Sequence, residues 1–343
     1  METGNAWITP RLIRVWADEI GTGDPVLAEL DLRLVLLLRA IGRSPIHERL
    51  SFKGGTALNK MYFSNAARLS VDLDFNAIGS EDVVFRSARA LRAGLIAIGE
   101  TEGLRLRRHQ RDAMGDYFLF GYASTIDEIE RTIKVEISIV ERFSVLGYER
   151  RPLAVPWHLV PSDDSPCLLQ TEPLIELLAT KVRALHQRRK GRDLFDLFQA
   201  VPVVDNKPAL RKLVLFYFAC RRVPFNHHLF FQTLDQKLND RRFRDDLFPF
   251  LRQGSGFSWD DASGKVRDWL AEVLVLDEHD SQFVLLVKNL LGIADGQDAR
   301  AARHAIELPL VYLFTDHVDL LANDAQALTT DQFKMLLEQN RRT

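Results

Sequence analysis

The chain has 343 residues, 46% of them hydrophobic and 27% charged, with a formal net charge of −2, which is the makeup of a globular protein long enough for two domains. The near balance of charge excludes a chain-wide basic field for nucleic acid, so any such contact must use a local patch. The two cysteines, Cys167 and Cys220, lie far apart without metal-ligand spacing and read as reduced thiols of a cytoplasmic protein. The first twenty residues lack the apolar core of a signal peptide, and no membrane span is expected.

Apolar residues at helical spacing predict helices over 9–20 and 25–41, the second with Leu30, Leu34, Leu37, Leu38 and Ile41 on one face. The stretch 51–76, SFKGGTALNKMYFSNAARLSVDLDFN, predicts strand, glycine turn, helix and strand, with the strands near 50–53 and 70–76. A helix over 81–100 follows, with Ser80 as N-cap and Glu81 and Asp82 in its first turn. Strands are predicted over 104–110, 117–124 and 132–140, with turns marked by Gly103, Gly115 and Asp127. This describes an α/β unit over residues 1–150. A proline-containing connection over 151–171 leads to a mainly helical domain over 172–343. Its predicted helices are 172–188, 192–200, 208–220, 265–276, 279–291, 299–314 and one near 330–341, with Gly254-Ser255-Gly256 as a loop.

Chemistry concentrates in the central stretch. Alternate strand residues share a face, so Asp72 and Asp74 stand together while Leu73 and Phe75 point into a core. Two adjacent carboxylates repel, and a divalent metal relieves the repulsion. The Gly54-Gly55-Thr56 turn, opening a helix, offers backbone N–H groups to a phosphate. Either feature alone is weak; in this order they are the minimal equipment for a metal-bound nucleotide.

In the strand over 132–140, Ile133, Val135, Ile137 and Ile139 form an apolar face, and Lys134, Glu136 and Ser138 the other. Glu136 either joins the aspartates in a two-metal set or pairs with Lys134 on a solvated face. Lys181 falls in the middle of the stripe formed by Leu174, Leu177, Leu178 and Leu185, with Glu176, Thr180 and Arg183 opposite. It either snorkels to the rim or carries its ammonium to a phosphate. Asp193 and Asp196, one turn apart after the basic run from Arg188 to Arg192, are either acids favoured by a helix start or a second acidic pair at the site. The strand with Arg105, Arg107, His109 and Arg111 is either a solvated edge or a phosphate-tracking patch for RNA.

Five motifs in order, Phe52-Lys-Gly-Gly-Thr-Ala-Leu-Asn-Lys60, Arg68-Leu-Ser-Val-Asp-Leu-Asp-Phe75, Lys134-Val-Glu136, Glu176 with Lys181, and Arg192-Asp-Leu-Phe-Asp-Leu197, resemble those of the AbiEii/AbiGii-type nucleotidyltransferase toxins, to which the mycobacterial MenT toxins are similar. The resemblance covers about residues 50–200. It implies a polymerase-β-like core with a mixed sheet, followed by a helical C-terminal domain. It implies nucleotide contacts at Lys53, Gly54, Gly55, Thr56, Lys60, Arg68, Ser70 and Arg192, and metal ligands at Asp72, Asp74 and Glu136. Lys181, Asp193 and Asp196 would complete the catalytic set. The implied substrate is an NTP with Mg²⁺ or Mn²⁺, the implied acceptor the 3′ end of tRNA, and the implied partner an antitoxin. The outcome would be blocked translation or abortive phage infection. NMP transfer to a protein, or a module that binds NTP without transfer, are the alternatives.

Overall fold

The structure, a computed structural model, describes residues 7–63, 68–161, 167–292 and 313–326. The chain forms two compact units. The first comprises Met1–Phe143, Tyr148–Glu172 and Phe250–Phe257, and the second Ser144–Gly147, Pro173–Pro249 and Ser258–Thr343.

The first unit is built on a mixed seven-stranded sheet. Its strands are β1 (Leu50–Lys53), β2 (Asp72–Ala77), β3 (Arg105–Arg111), β4 (Gly115–Ala123), β5 (Glu130–Ser138), β6 (Glu149–Pro152) and β7 (Leu168–Thr171), in spatial order β3-β4-β5-β2-β1-β7-β6. Pairs β2/β5 and β1/β7 are parallel, and the other four are antiparallel. The alternating pattern decides the faces. Leu73, Phe75, Phe118, Phe120, Ile133, Val135 and Ile137 are buried, while the intervening positions Asp74, Lys134 and Glu136 carry charges and Leu119 an aliphatic chain.

Helices α1 (Pro10–Ile20) and α2 (Pro25–Gly42) start at the N-caps Thr9 and Asp24, each followed by proline, which suits a helix's first turn. Ile13, Trp16 and Ile20 of α1 pack with Leu32, Val35 and Leu36 of α2 and with Leu69 and Val160. Between β1 and β2, α3 (Gly54–Ala57) widens into a π-type turn over Leu58–Tyr62. Helix α4 (Glu81–Thr101) joins β2 to β3. The 151–171 connection holds most of β6 and β7, whose four-residue strands are too short for periodicity to reveal. Segment Phe250–Phe257, with the expected Gly254–Gly256 loop, returns to this unit: Leu69 donates its N–H to the Phe250 carbonyl at 2.7 Å, and Gln253 donates to Gly21 at 2.9 Å.

The second unit is helical: α5 (Leu174–Gln187), α6 (Gly191–Ala200), α7 (Lys207–Cys220), α8 (His227–Leu238), α9 (Arg241–Asp245), α10 (Trp259–Val273) and α11 (Glu278–Leu290). Helix α7 is buried almost all round. Arg211 and Lys212 within it pair with Asp280, and Asp277 and Asp280 close a capping box at the start of α11. Gly191 opens α6 where a Cβ would sit 2.2 Å from the Phe243 carbonyl oxygen. Helices α8 and α9 were not among the sequence expectations, and α10 begins six residues before the helix expected at 265–276. The helix expected near 330–341, and all but the end of that at 299–314, lie outside the described residues.

Candidate active site

Register assembles the site across four strands of the first unit. Lys53 lies opposite Asp74, Asp74 opposite Glu136, and Glu136 opposite Tyr117. One step along the same face, Asp72 lies opposite Lys134, and Lys134 opposite Leu119. Adjacent strands are about 4.8 Å apart, so the three expected carboxylates share one small area of sheet. Glu136 stands beside Asp74, and its carboxylate is also ion-paired with Lys134. Burial works to lower the Lys134 pKa, but the hydrogen bond and charge of Glu136, with Asp74 and Asp72 behind, raise it above the ordinary lysine value.

The glycine turn is pressed against these acids. Gly54 has φ +77°, and a Cβ there would meet Asp74 Oδ2 at 2.6 Å, so both backbone conformation and space require glycine. Thr56 is buried, and its hydroxyl donates to the Asp72 carbonyl at 2.7 Å. Through that bond Thr56 fixes the start of the helix against β2. Asn59 continues the clamp, donating to the Gly55 carbonyl at 2.7 Å and the Ser70 hydroxyl at 3.0 Å.

Lys60, Arg68 and Ser70 line a separate cavity of about 390 Å³ together with Asn59, Asp31 and Arg252. Lys60 Nζ is 2.7 Å from Asp31 Oδ1, and Asp31 Oδ2 accepts from the Trp16 indole at 3.1 Å. Burial lowers the Arg252 pKa, with Asp31 opposing it. Lys53 reaches Glu141 at 3.6 Å. Burial raises the Glu172 pKa against the hydrogen bond from Asn76 and the charge of Lys53. Asn59, Arg252, Glu141 and Glu172 were missed from sequence. They come from a motif interior, a distant loop and strand ends, and carry no spacing signal.

The basic strand departs from simple alternation. A register shift between Leu106 and Arg108 makes a bulge, so Arg108 lies opposite Leu119 and Gln110 opposite Tyr117. Arg107 pairs with Glu130 over Gly121, where a Cβ would meet both side chains. His109 and Arg111 turn to the other face, His109 onto Asp116 at 2.7 Å and Arg111 over the Phe85 ring.

Residues 36–266 match the family model described as the nucleotidyl transferase AbiEii toxin of a type IV toxin–antitoxin system. The chain belongs to this family. No curated protein sequence matches it significantly. Among solved structures, MenT4, a nucleotidyltransferase toxin from Mycobacterium tuberculosis H37Rv, aligns with a TM-score of 0.64 at 20% identity, over 89% of this chain and 99% of that one. JHP933 from Helicobacter pylori aligns with a TM-score of 0.46 at 16% identity, over 72% and 91%. The likeness to MenT4 shows that the fold is that of a nucleotidyltransferase toxin.

Within this AbiEii chain, the expected residues of the second unit form their own cluster. Lys181 is 5% exposed, and its Nζ lies 3.0 Å from Asp193 Oδ1 and 2.9 Å from Asp196 Oδ2. Arg188 adds two hydrogen bonds to Asp193, at 2.7 and 2.8 Å. Burial would raise the Asp193 pKa, but Lys181 and Arg188 hold it well below the carboxylate range. Lys181 therefore does not snorkel, and both aspartates are its partners. Arg192 is 3.3 Å from Asp246. Glu176 and Arg183, expected opposite the apolar stripe, are buried too. Glu176 accepts from the Ser144 hydroxyl, the Val145 and Leu146 amides and the Tyr217 hydroxyl, and so pins residues 144–147 to α5.

Three carboxylates on one sheet face are the oxygen donors a hard divalent cation takes, and Gly54 keeps the space beside Asp74 clear. In donor chemistry these residues fit a metal. Among the described residues, however, no three His, Cys, Asp or Glu side chains converge as a ready cage. None of the helices in the described residues is long and apolar enough to cross a membrane.

Proposed function

We propose that this AbiEii-family chain transfers a nucleoside monophosphate from an NTP to the 3′ end of tRNA, releasing pyrophosphate and so blocking translation. The observation that carries this reading is the row in which Lys53, Asp74 and Glu136 lie side by side on β1, β2 and β5, with Asp72 on the same face. The Gly54-Gly55 turn, whose backbone lies against Asp74, cradles the triphosphate. Lys53, at the mouth of the turn, meets phosphate charge. Lys60, Arg68 and Ser70, lining the cavity that Asn59 links to the turn, hold a further part of the nucleotide.

Asp72 and Asp74, with Glu136 beside them, would hold Mg²⁺ or Mn²⁺, which when bound neutralises phosphate charge and activates the attacking oxygen. Glu136 takes the proton of the acceptor hydroxyl as that oxygen bonds to the α-phosphorus and the bond to pyrophosphate breaks. The protein's contribution is position and charge, which is most of what phosphoryl transfer needs. Lys181, Asp193 and Asp196 act as a unit of the helical part, the two carboxylates holding the ammonium in place. The family's description as one half of a toxin–antitoxin system supports an antitoxin as protein partner and growth arrest or abortive phage infection as the outcome, in the cytoplasm.

The test is a transfer assay with each α-labelled NTP, Mg²⁺ and total tRNA, beside an Asp74→Ala control. Label on RNA that the control lacks supports the reading and identifies the nucleotide. Label on protein, or RNA labelling that survives in the control, overturns it.

A further inference from the structure

Beside the acid row, the same sheet face continues into a shallow cavity of about 370 Å³ over β3, β4 and β5. Tyr117 lies at its centre, directly opposite Glu136 on one side and Gln110 on the other. Leu119 and Arg108 form the next row, beside Lys134. Tyr117 and Leu119 are half-buried, whereas Arg108 and Gln110 are exposed. The Arg108 guanidinium donates to Gln110 Oε1 at 2.8 Å. The bulge at Arg107 is what gathers cations here: it inserts one residue, so Arg107 reaches over Gly121 to Glu130 while Arg108 takes the position opposite Leu119.

The chemistry of this face differs from that of the acids next to it. It offers a ring, an aliphatic side chain, an amide and the Arg108 guanidinium, with the Asp112 carboxylate at the Tyr117 hydroxyl and Arg107 nearby over Gly121. An aromatic ring on a sheet face with arginines beside it suits a single-stranded nucleic acid, whose bases stack and whose phosphates are met by cations. A duplex hides its base faces in the stack, all but the outer face of each terminal pair, and a folded protein offers no repeating anion. Position selects the segment. Tyr117 is one strand from Glu136 and two from Asp74, about 5 and 10 Å at sheet spacing. A base on Tyr117 therefore belongs to a nucleotide at or next to the reacting hydroxyl.

We propose that this face is the acceptor platform, binding an unpaired 3′-terminal segment of RNA with a base stacked on Tyr117 and a backbone phosphate held by Arg108. The inference rests on the RNA-transfer reading above and specifies where its acceptor lies. Arg107, braced by Glu130, supports the next phosphate out. Gln110 reads a base edge. The platform contributes to acceptor binding and leaves NTP binding to the turn and the acids.

The test is fluorescence anisotropy of the full chain with a 5′-labelled, single-stranded eight-nucleotide oligoribonucleotide with a free 3′ end, and with the same sequence as a blunt duplex. The single strand is expected to bind more tightly than the duplex. Tyr117→Ala should weaken it about tenfold, in keeping with loss of one stacked base, and Tyr117→Phe should stay near the parent. Arg108→Glu, an exposed substitution that leaves the core untouched, should weaken it at least as much and flatten the salt dependence. Unchanged affinity in both Tyr117→Ala and Arg108→Glu overturns the platform, as does equal or tighter binding of the duplex. In the transfer assay, the acceptor KM should rise in these variants while NTP affinity holds. Failure of the parent reading looks different: the unsubstituted chain would label protein and not RNA, with no variant needed to see it.

Discussion

Glu136 stands directly opposite Asp74 in the parallel pair of β2 and β5, and its carboxylate is held by Lys134. The chain thus places a cation of its own among three acids that would otherwise repel. Removing either aspartate relieves repulsion from the other acids, gives up attraction to Lys134 and removes a proposed metal and phosphate anchor, so stability and activity should part company. Asp72→Ala and Asp74→Ala are expected to melt near the parent temperature while losing at least about 10²–10³-fold in transfer rate, the scale of losing one charge-stabilising group. Thermal melting and single-turnover labelling measure the two. Retained transfer in both variants would sink the assignment of the site.

Gly54 gives a prediction about backbone. Alanine there must adopt φ near +77° and place its Cβ 2.6 Å from Asp74 Oδ2. The strained conformation costs about 1–3 kcal/mol, and Asp74 must move. Gly54→Ala should therefore lower both Tm and transfer rate, whereas Gly264→Ala, in open space on α10, should leave transfer unchanged. Equal behaviour of the two variants would show that the close approach of turn and acid has no role.

These two sites show what a sequence can disclose. The glycine turn, the Asp72/Asp74 alternation and the apolar face of β5 are local patterns, and the elements they predict stand within a few residues of those expected. What sequence leaves open is partnership. Lys181 in an apolar stripe signals that something must compensate it, and the candidates Asp193 and Asp196 were in view, but only folding brings α5 and α6 together. Arg252 and Glu172 reach the first unit through long-range chain returns, which leave no periodic trace. The bulge at Arg107 re-aims every later side chain of β3, and a single inserted residue looks like nothing in the sequence.

Thr56 separates a positioning role from a contact role. Its buried hydroxyl donates to the Asp72 carbonyl, so Thr56→Val keeps the shape and removes one hydrogen bond, leaving that carbonyl short of a donor. A loss of about 1–3 kcal/mol in stability is expected, read by denaturant unfolding. Thr56→Ser, which keeps the donor, should recover most of the loss. If the hydroxyl instead met the nucleotide, Thr56→Val would raise the NTP KM with unchanged stability.

The Lys181 cluster carries a pH prediction with a definite sign. Asp193 is fully buried, and Lys181 and Arg188 depress its pKa against the burial that would raise it. A carboxylate whose folded pKa lies below its unfolded value of about 3.9 contributes stability that is fully present above that value and lost as pH falls through the window down to the folded pKa. Unfolding free energy should therefore fall as pH drops below about 4. Asp193→Asn should flatten that acid limb while lowering stability at neutral pH. Lys181→Met removes the ammonium from between two buried aspartates, and breaking a buried pair in this way typically costs about 3–5 kcal/mol. The double variant Lys181→Met with Asp193→Asn should lose less than the sum, because each single variant already breaks the Lys181–Asp193 pair and the sum counts that loss twice. Strict additivity in that cycle would mean that the 3.0 Å contact carries no coupling, and with it would go the assignment of Lys181 and its aspartates as one unit.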